Sequence, residues 1–304
     1  MTRAASTESM GGIGVSYERS AAAVYLAAML AGVAGPGLAG KVVRVATQQP
    51  AALDDLEITT EDEQGGTAMA RLQVKHQLTL SAAASNSNFA AIVADAWRDL
   101  GALSFVAGDR VGAVAERIPI DSLYAARRLN EMAWLAENGA ALDAALTRAG
   151  QGGGAKRLWD GVSTLSEKPL GRPATQDELR HFWRHFAVIG IEASFARDRD
   201  RAHAIDQLRA VAYLPGAPDP ASLFGTLELV AGTLNVRGAG FDADQLRDHL
   251  AEQYSITLET GDPKLEPISS RPNSCRRAVA APLGHRWFRF QRLNTAAQSS
   301  SATW

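Results

Sequence analysis

The fold of this chain is decided by residues 53–76, which read LDDLEITTEDEQGGTAMARLQVKH. Polar and apolar residues alternate at both ends of this stretch, as they do in half-buried strands. The middle, residues 59–66, is polar and closes with two glycines, a composition typical of a turn. We therefore predict a hairpin of two antiparallel strands over residues 55–60 and 69–76.

The alternation assigns the polar side chains of both strands to one face and the apolar ones to the other. The polar face would carry Asp55, Glu57, Gln73 and Lys75. A divalent cation such as Mg²⁺ prefers oxygen ligands, usually one or two carboxylates together with water and a phosphate. A lysine beside the cation can hold the attacking water and stabilise the charge that develops on phosphorus. The hairpin therefore predicts metal-dependent phosphodiester hydrolysis.

The order and spacing of Asp55, Gln73 and Lys75 resemble those of the PD-(D/E)xK nuclease superfamily, in the variant whose second acidic position is Gln. Upstream, residues 11–18 read GGIGVSYE and lead into an apolar helix. The whole pattern resembles the double-stranded DNA endonuclease domain that serves as the effector of bacterial antiphage systems, including cyclic-oligonucleotide signalling systems and large STAND-type ATPases. The resemblance covers residues 11–110 by motif and continues more loosely to residue 255.

The resemblance implies an α/β (α+β) fold, with a restriction-endonuclease-like αβββαβ core and a large helical extension. It implies catalytic roles for Asp55, Gln73, Lys75 and Glu18. It also implies Mg²⁺ or Mn²⁺ held by Asp55, Asp54, Glu18 and Gln73. Double-stranded DNA is the implied substrate, and a regulatory sensor or ATPase protein is an implied partner. Because one such site cuts one strand, we expect a homo-oligomer in the active state.

The glutamine is a departure that keeps a second hypothesis open. Gln73 offers no charged ligand, so the cation would depend on the acidic residues, with Glu57 as a further candidate. The alternative to an active nuclease is a catalytically inactive nuclease fold that acts as a DNA-binding or protein-interaction module.

Composition limits where DNA affinity can come from. The 304 residues have a formal net charge of −2 and a sequence pI near 6.3, so bulk charge does not attract DNA. We therefore predict a local basic patch around the site, formed by Lys41, Arg44, Arg71, Lys75 and His76. The single Cys275 excludes an intramolecular disulfide and agrees with a cytoplasmic location.

Residues 20–40 contain no charge and are long enough to span a bilayer. Their content is mostly Ala and Gly, and no basic region precedes them as in a signal peptide. We predict a buried helix over residues 16–34 and no membrane association.

The rest of the chain divides by pattern. We predict a nuclease core over residues 1–120, a helical extension over 121–215, a helical segment over 216–258 and an irregular tail over 259–304. Beyond residue 121 the only expected strand covers residues 188–195. Within the core, a helix over 88–100 precedes strands at 104–106 and 111–115. His181 and His185 lie one helical turn apart, but the sequence between them lacks the glutamate of a zinc protease, so we predict a packed helix with partly exposed histidines.

Overall fold

A six-stranded mixed sheet forms the centre of the part of the chain that the structure describes. The computed structural model describes residues 12–102, 105–106, 108–148, 153–194, 198–211 and 218–258. In chain order the elements are α1 (Gly12–Ala31), β1 (Lys41–Ala46), β2 (Leu56–Glu61), β3 (Thr67–Gln77), α2 (Ser87–Ala102), β4 (Arg110–Arg117), α3 (Ile120–Leu135), α4 (Gly139–Arg148), α5 (Gly154–Leu170), α6 (Gln176–His185), β5 (Phe186–Gly190), α7 (Arg199–Arg209), α8 (Pro220–Arg237), β6 (Gly240–Asp242) and α9 (Ala243–Tyr254). The strand order is β5-β4-β3-β2-β1-β6. The predicted α+β class with a helical extension is confirmed, and the first six elements follow the predicted αβββαβ order.

The predicted hairpin is formed by β2 and β3. The two strands pair antiparallel with Leu56 opposite Leu72. In the turn, the Asp62 carboxylate accepts hydrogen bonds from the backbone N–H groups of Gln64 (2.9 Å) and Gly66 (2.7 Å). Gly65 adopts a φ of 80°, which a glycine accepts without strain. Both predicted strands lie within a few residues of the observed ones, and β2 begins one residue after Asp55.

Helix α1 is buried, as predicted. It packs against β1 and β3 on one side and against α7 and α8 on the other, and every residue from 20 to 30 is buried. The Tyr25 hydroxyl donates to the Pro36 carbonyl at 2.9 Å, and its ring covers Gly35, where a Cβ would lie 2.6 Å from the ring. Nowhere in the described ranges is a helix both long enough and apolar enough to cross a membrane.

The other face of the sheet is covered by α2, α3 and α6, and α5 packs against α2 and α3. Here β4 pairs parallel with both β3 and β5. All residues from Val111 to Ala115 are buried, as expected for a strand covered on both faces. Gly112 permits the close approach of β5, since a Cβ there would lie 1.9 Å from the carbonyl oxygen of Ala187.

Several predictions about elements need correction. Residues 105–106 are not a strand, while Ser104 lies outside the described residues. The strand predicted over 188–195 begins earlier, at Phe186, and ends at Gly190. Strand β6 was not predicted, because three residues are too few to show an alternation; it pairs antiparallel with β1. Strands β5 and β6 therefore come from the segments predicted as helical and complete the same sheet. The predicted loose start (residues 1–10) and irregular tail (259–304) lie outside the described residues.

Candidate active site

Asp55 lies at the end of the sheet where β2 begins and β3 ends, which we call the Asp55 end. Its Oδ2 accepts a short hydrogen bond from the Gln73 side-chain amide and a second from the Val74 backbone N–H at 2.8 Å. Because a carboxylate only accepts, Gln73 must present its NH₂ group to Asp55. The amide oxygen of Gln73 therefore faces another direction. Asp55 and Gln73 are placed opposite one another, as the strand register requires.

Burial controls the ionisation of Asp55. Desolvation raises the pKa of this carboxyl above its usual value, and the nearby charge of Asp54 adds to the rise. The hydrogen bond from Val74, the charge of Lys75 and the hydrogen bond from Gln73 act in the opposite direction without cancelling the effect of burial. A cation bound at this carboxylate would stabilise its charged form, because an opposite charge within a few ångströms favours ionisation.

Lys75 occupies the last part of β3, half-buried and level with Ala115 of β4. It is two residues from Gln73, so both side chains project from the same face of β3. Its charge is felt at Asp55. The structure thus brings Asp55, Gln73 and Lys75 together on adjacent strands.

Glu18 lies near the start of α1 and is half-buried. Residues 32–40 connect α1 to β1, and the Val42 N–H bonds back to the Val33 carbonyl at 3.0 Å. The chain therefore reverses there, and the start of α1 lies at the Asp55 end. Consistent with this, the Tyr17 ring centroid is 6.1 Å from that of His76, at the end of β3. The role of Glu18 as a metal ligand stays a prediction.

The side chains at the Asp55 end suit only a metal ion that needs few protein ligands. Among the residues with described positions, no group of three or more His, Cys, Asp or Glu side chains is arranged to hold a metal ion. Magnesium does not require such a cage, because it commonly binds through one or two carboxylates and completes its shell with water and phosphate. The carboxylates of Asp54 and Asp55 suit a cation of this type, and the role of Gln73 as a metal ligand stays a prediction, because its NH₂ group rather than its oxygen faces Asp55.

Glu57 and two cations of the predicted basic patch form ion pairs that the sequence did not predict. Glu57 forms an ion pair with Arg71 at 2.9 Å, and both side chains are largely covered. Lys41 pairs with Glu61 at 3.0 Å at the opposite end of the hairpin, far from Asp55. The prediction of a local basic patch is therefore wrong for Lys41 and Arg71, whose charges are paired with carboxylates of the sheet, and it stays a prediction for Arg44 and Lys75.

A buried carboxylate next to the site was missed from the sequence. The Glu116 side chain is 0% exposed, and its Oε2 lies 2.7 Å from His76 Nε2. Its Oε1 accepts a short hydrogen bond from the Ser194 hydroxyl. Glu116 thus links β3, β4 and the segment after β5. Its only sequence signal is a glutamate directly after the apolar run that ends at Ala115.

Asp99 was also missed, and it fixes the loop that precedes β2. It is buried on α2, and its two carboxylate oxygens accept from the backbone N–H groups of Ala52 and Leu53, each at 3.0 Å. The held residues come directly before Asp54 and Asp55. Asp99 is therefore a positioning residue for the candidate site. The sequence shows only an acidic residue in an amphipathic helix, which is usually solvated.

The two histidines of α6 do not form a metal site in the described part of the chain. Their rings are 4.7 Å apart. His185 is buried rather than partly exposed, and its Nδ1 lies 3.0 Å from the Asp109 carbonyl. The prediction of a packed helix is confirmed by the buried Phe182 and Trp183.

Comparisons with known proteins give a distant likeness. No family model matches the chain, and no curated protein matches it. Among solved structures, it is similar to the Cap4 SAVED/CARF-domain containing receptor of Acinetobacter baumannii with the cyclic trinucleotide 3'3'3'-cAAA, at 8% identity and a TM-score of 0.42, over 83% of this chain and 46% of the receptor. It is also similar to the Cap4 SAVED/CARF-domain containing receptor of Moraxella osloensis, at 11% identity and a TM-score of 0.40, over 81% of this chain and 49% of the receptor. The chain thus spans about half the length of the receptors that it resembles.

Proposed function

We propose that this protein is a Mg²⁺-dependent DNA endonuclease. The observation that carries the proposal is the direct contact of Asp55 with Gln73, with Lys75 two residues further along β3. The αβββαβ order of elements supports it, because this arrangement is the one that the sequence resemblance implies.

Each residue has a role that its position suits. Asp54 and Asp55 would hold the cation, and Gln73 keeps Asp55 oriented through its NH₂ group. The cation, when bound, supplies Lewis-acid polarisation of the phosphate and a more acidic bound water. Lys75 orients the attacking water, and its charge stabilises the negative charge that develops on the phosphoryl oxygens.

A catalytically inactive module is the second candidate function, and one observation favours it. One oxygen of Asp55 already accepts two hydrogen bonds from the protein itself, from Gln73 and Val74. A carboxylate satisfied in this way has a structural use without a metal. The same fold would then bind DNA or another protein without cutting.

The biological setting is part of the proposal and rests on the sequence resemblance. We propose an effector role in antiphage defence in the cytoplasm, under the control of a sensor or ATPase protein that supplies the activating signal.

The first prediction tests the metal-binding carboxylate. Purified protein should nick or linearise plasmid with Mg²⁺ or Mn²⁺ and be inactive with EDTA. Asp55→Ala should abolish cutting, because the cation loses its main ligand. The matched control is Glu63→Ala, an exposed acidic residue in the turn of the same hairpin, which should cut like the wild type.

Two outcomes would contradict the proposal. Normal cutting by Asp55→Ala would remove Asp55 from the mechanism. A wild-type protein that binds DNA but cuts with neither cation, alone or with its regulator, would establish the inactive module.

A further inference from the structure

Two arginines of α6 form a positive surface with a tryptophan of α3. Arg180 and Arg184 lie one helical turn apart, so their side chains are neighbours. The Arg184 guanidinium carbon lies 4.4 Å from the centre of the Trp134 ring, in a cation–π contact. The Trp134 ring is fixed in turn by its N–H, which donates to the Arg184 carbonyl at 3.1 Å. We call Arg180, Arg184 and Trp134 the arginine patch.

Three acidic residues near the arginine patch have partners elsewhere. Glu178 forms an ion pair with Arg172 at 2.5 Å, and Asp177 accepts from the Gly139 N–H at 2.6 Å. Asp109 accepts from two backbone N–H groups, at 2.8 and 3.0 Å. Within the described ranges, neither Arg180 nor Arg184 forms an ion pair with a carboxylate. The Nε atoms of both arginines are buried and have no hydrogen-bond acceptor among the described residues.

The fold does not require this concentration of positive charge. Arg184 lies in the last turn of α6, where a cation is favourable because of the helix dipole. Arg180 lies outside that turn, and like charges at this spacing are destabilising. Burial lowers the pKa of Arg184, and the charge of Arg180 adds to this effect. Burial also lowers the pKa of His181, and the charges of Arg184 and Arg180 add to it. A bound anion would relieve this repulsion.

We propose that the arginine patch binds the phosphate backbone of nucleic acid. Guanidinium groups are suited to phosphate because they donate several hydrogen bonds in a fixed plane. This proposal rests on the proposed function and extends it, since it identifies a contact for the DNA away from the cutting site. The arginine patch also supplies positive charge that Lys41 and Arg71 do not offer to DNA, because those two side chains are paired with glutamates.

The position of the arginine patch agrees with a bound duplex. The guanidinium of Arg110, the first residue of β4, lies 5.6 Å from the centre of the Trp134 ring, whereas Asp55 bonds to Gln73 and Val74, which are level with Ala113 and Val114 of that strand. The three to four residues of β4 from Arg110 to that level span about 10–13 Å at the usual rise per residue. That length corresponds to about three to four base pairs of DNA. A duplex that is cut at the Asp55 end is thus long enough to reach the arginine patch.

The test measures DNA binding without cleavage. A fluorescein-labelled duplex of about 30 base pairs is titrated with the protein in EDTA, and the dissociation constant is measured by anisotropy at several salt concentrations. For Arg180→Gln/Arg184→Gln we expect at least tenfold weaker binding and a salt slope reduced by about 2, because each phosphate contact contributes about 0.9 to that slope. The matched control is Arg209→Gln/Arg237→Gln, which removes the same charge from α7 and α8 and should leave the slope unchanged.

Arg184→Gln also removes the contact with Trp134, so Arg180→Gln alone is measured as well. It should reduce the slope by about 1 while the melting temperature stays that of the wild type. The proposal is overturned if the wild type does not bind the duplex, if the patch variants keep the wild-type slope, or if the control loses as much affinity. Binding in EDTA that depends on the arginine patch, without any cutting in Mg²⁺, would sustain this inference while the proposed nuclease activity fails.

Discussion

Lys75 is the residue to which the proposed mechanism assigns the most specific chemical role. A fixed positive charge directed at the transition state typically contributes a factor of about 10²–10³ in rate. We therefore expect Lys75→Ala to lower the plasmid cleavage rate by this factor. Lys75→Arg should restore little of the lost cleavage rate, because a planar guanidinium does not replace a compact ammonium group as the donor that holds the water. Lys41→Ala, which breaks only the ion pair with Glu61, is the control. Equal activity in all three variants would mean that Lys75 is an ordinary surface residue.

Asp99 gives a second prediction at the residue scale. In Asp99→Asn an amide NH₂ must face a backbone N–H, so we expect the free energy of unfolding to fall by about 1–3 kcal/mol. Asp109→Asn is a close match, since Asp109 is also buried and also accepts from two backbone N–H groups, but at the opposite end of β3. Both variants should lose similar stability, measured by urea unfolding.

Only Asp99→Asn should also lower the cleavage rate at a temperature where both variants remain folded, because only Asp99 holds the loop before Asp54 and Asp55. A matching loss of rate in Asp109→Asn would show that Asp99 acts through general stability alone.

The residues that sequence reasoning found and those that it missed differ in a physical way. Asp55 and Gln73 were found because the two-residue period of adjacent strands fixes which side chains meet, and that period is visible in the chain. Asp99 and Glu116 were missed because their partners are brought near only by tertiary packing. Ser194, for example, is far from Glu116 in the chain but shares a hydrogen bond with it.

At the scale of elements, helix α6 carries a complete N-terminal cap. Thr175 and Glu178 form a capping box, as Thr-x-x-Glu after Pro173 predicts. The hydrogen bond and charge of Arg172, with the hydrogen bonds of Thr175, lower the pKa of Glu178 to about 2. Because this folded pKa lies below that of the unfolded chain, the contribution to stability is present near neutral pH and is lost as the pH falls toward 2.

We therefore expect Glu178→Gln to lower the free energy of unfolding at pH 7 by less than about 1 kcal/mol, since the ion pair is exposed to solvent. Gln can still complete the capping box, so the variant isolates the charge. The difference from the wild type should shrink steadily between pH 4.5 and pH 2 in urea unfolding series. Asp206→Asn, which removes an exposed ion pair without a cap, should have little effect at either pH. A difference that is as large at pH 2 as at pH 7 would contradict the role of the ion pair.

Most helices and long strands were predictable because each is long enough for its apolar residues to recur at the spacing typical of that element. Helix α8 is an exception, since its apolar residues are distributed around the helix and give no clear periodicity. Strand β6 is too short to show an alternation of polar and apolar residues, and its pairing with β1 depends on tertiary packing.

At the scale of the whole molecule, an oligomeric active state stays a prediction. A double-strand break requires two sites that face opposite strands, so we expect a dimer or a higher oligomer during cleavage. Exposed apolar residues on the helices, such as Leu135 (83% exposed) and Val236 (85% exposed), are available for such contacts. Light scattering during plasmid cleavage tests the expectation. A strict monomer that linearises plasmid in one binding event would defeat it.

The outermost strands of the sheet restrict how copies of this protein can join. Strand β5 has five residues and β6 has three, so each edge offers few backbone groups for pairing with a neighbouring chain. Short edge strands are one of the devices by which proteins avoid joining their sheets into continuous ribbons. Two copies that assemble on DNA would therefore meet through side chains on helical surfaces. Such contacts can form and separate without any rearrangement of backbone hydrogen bonds, which suits an assembly that must appear only on demand.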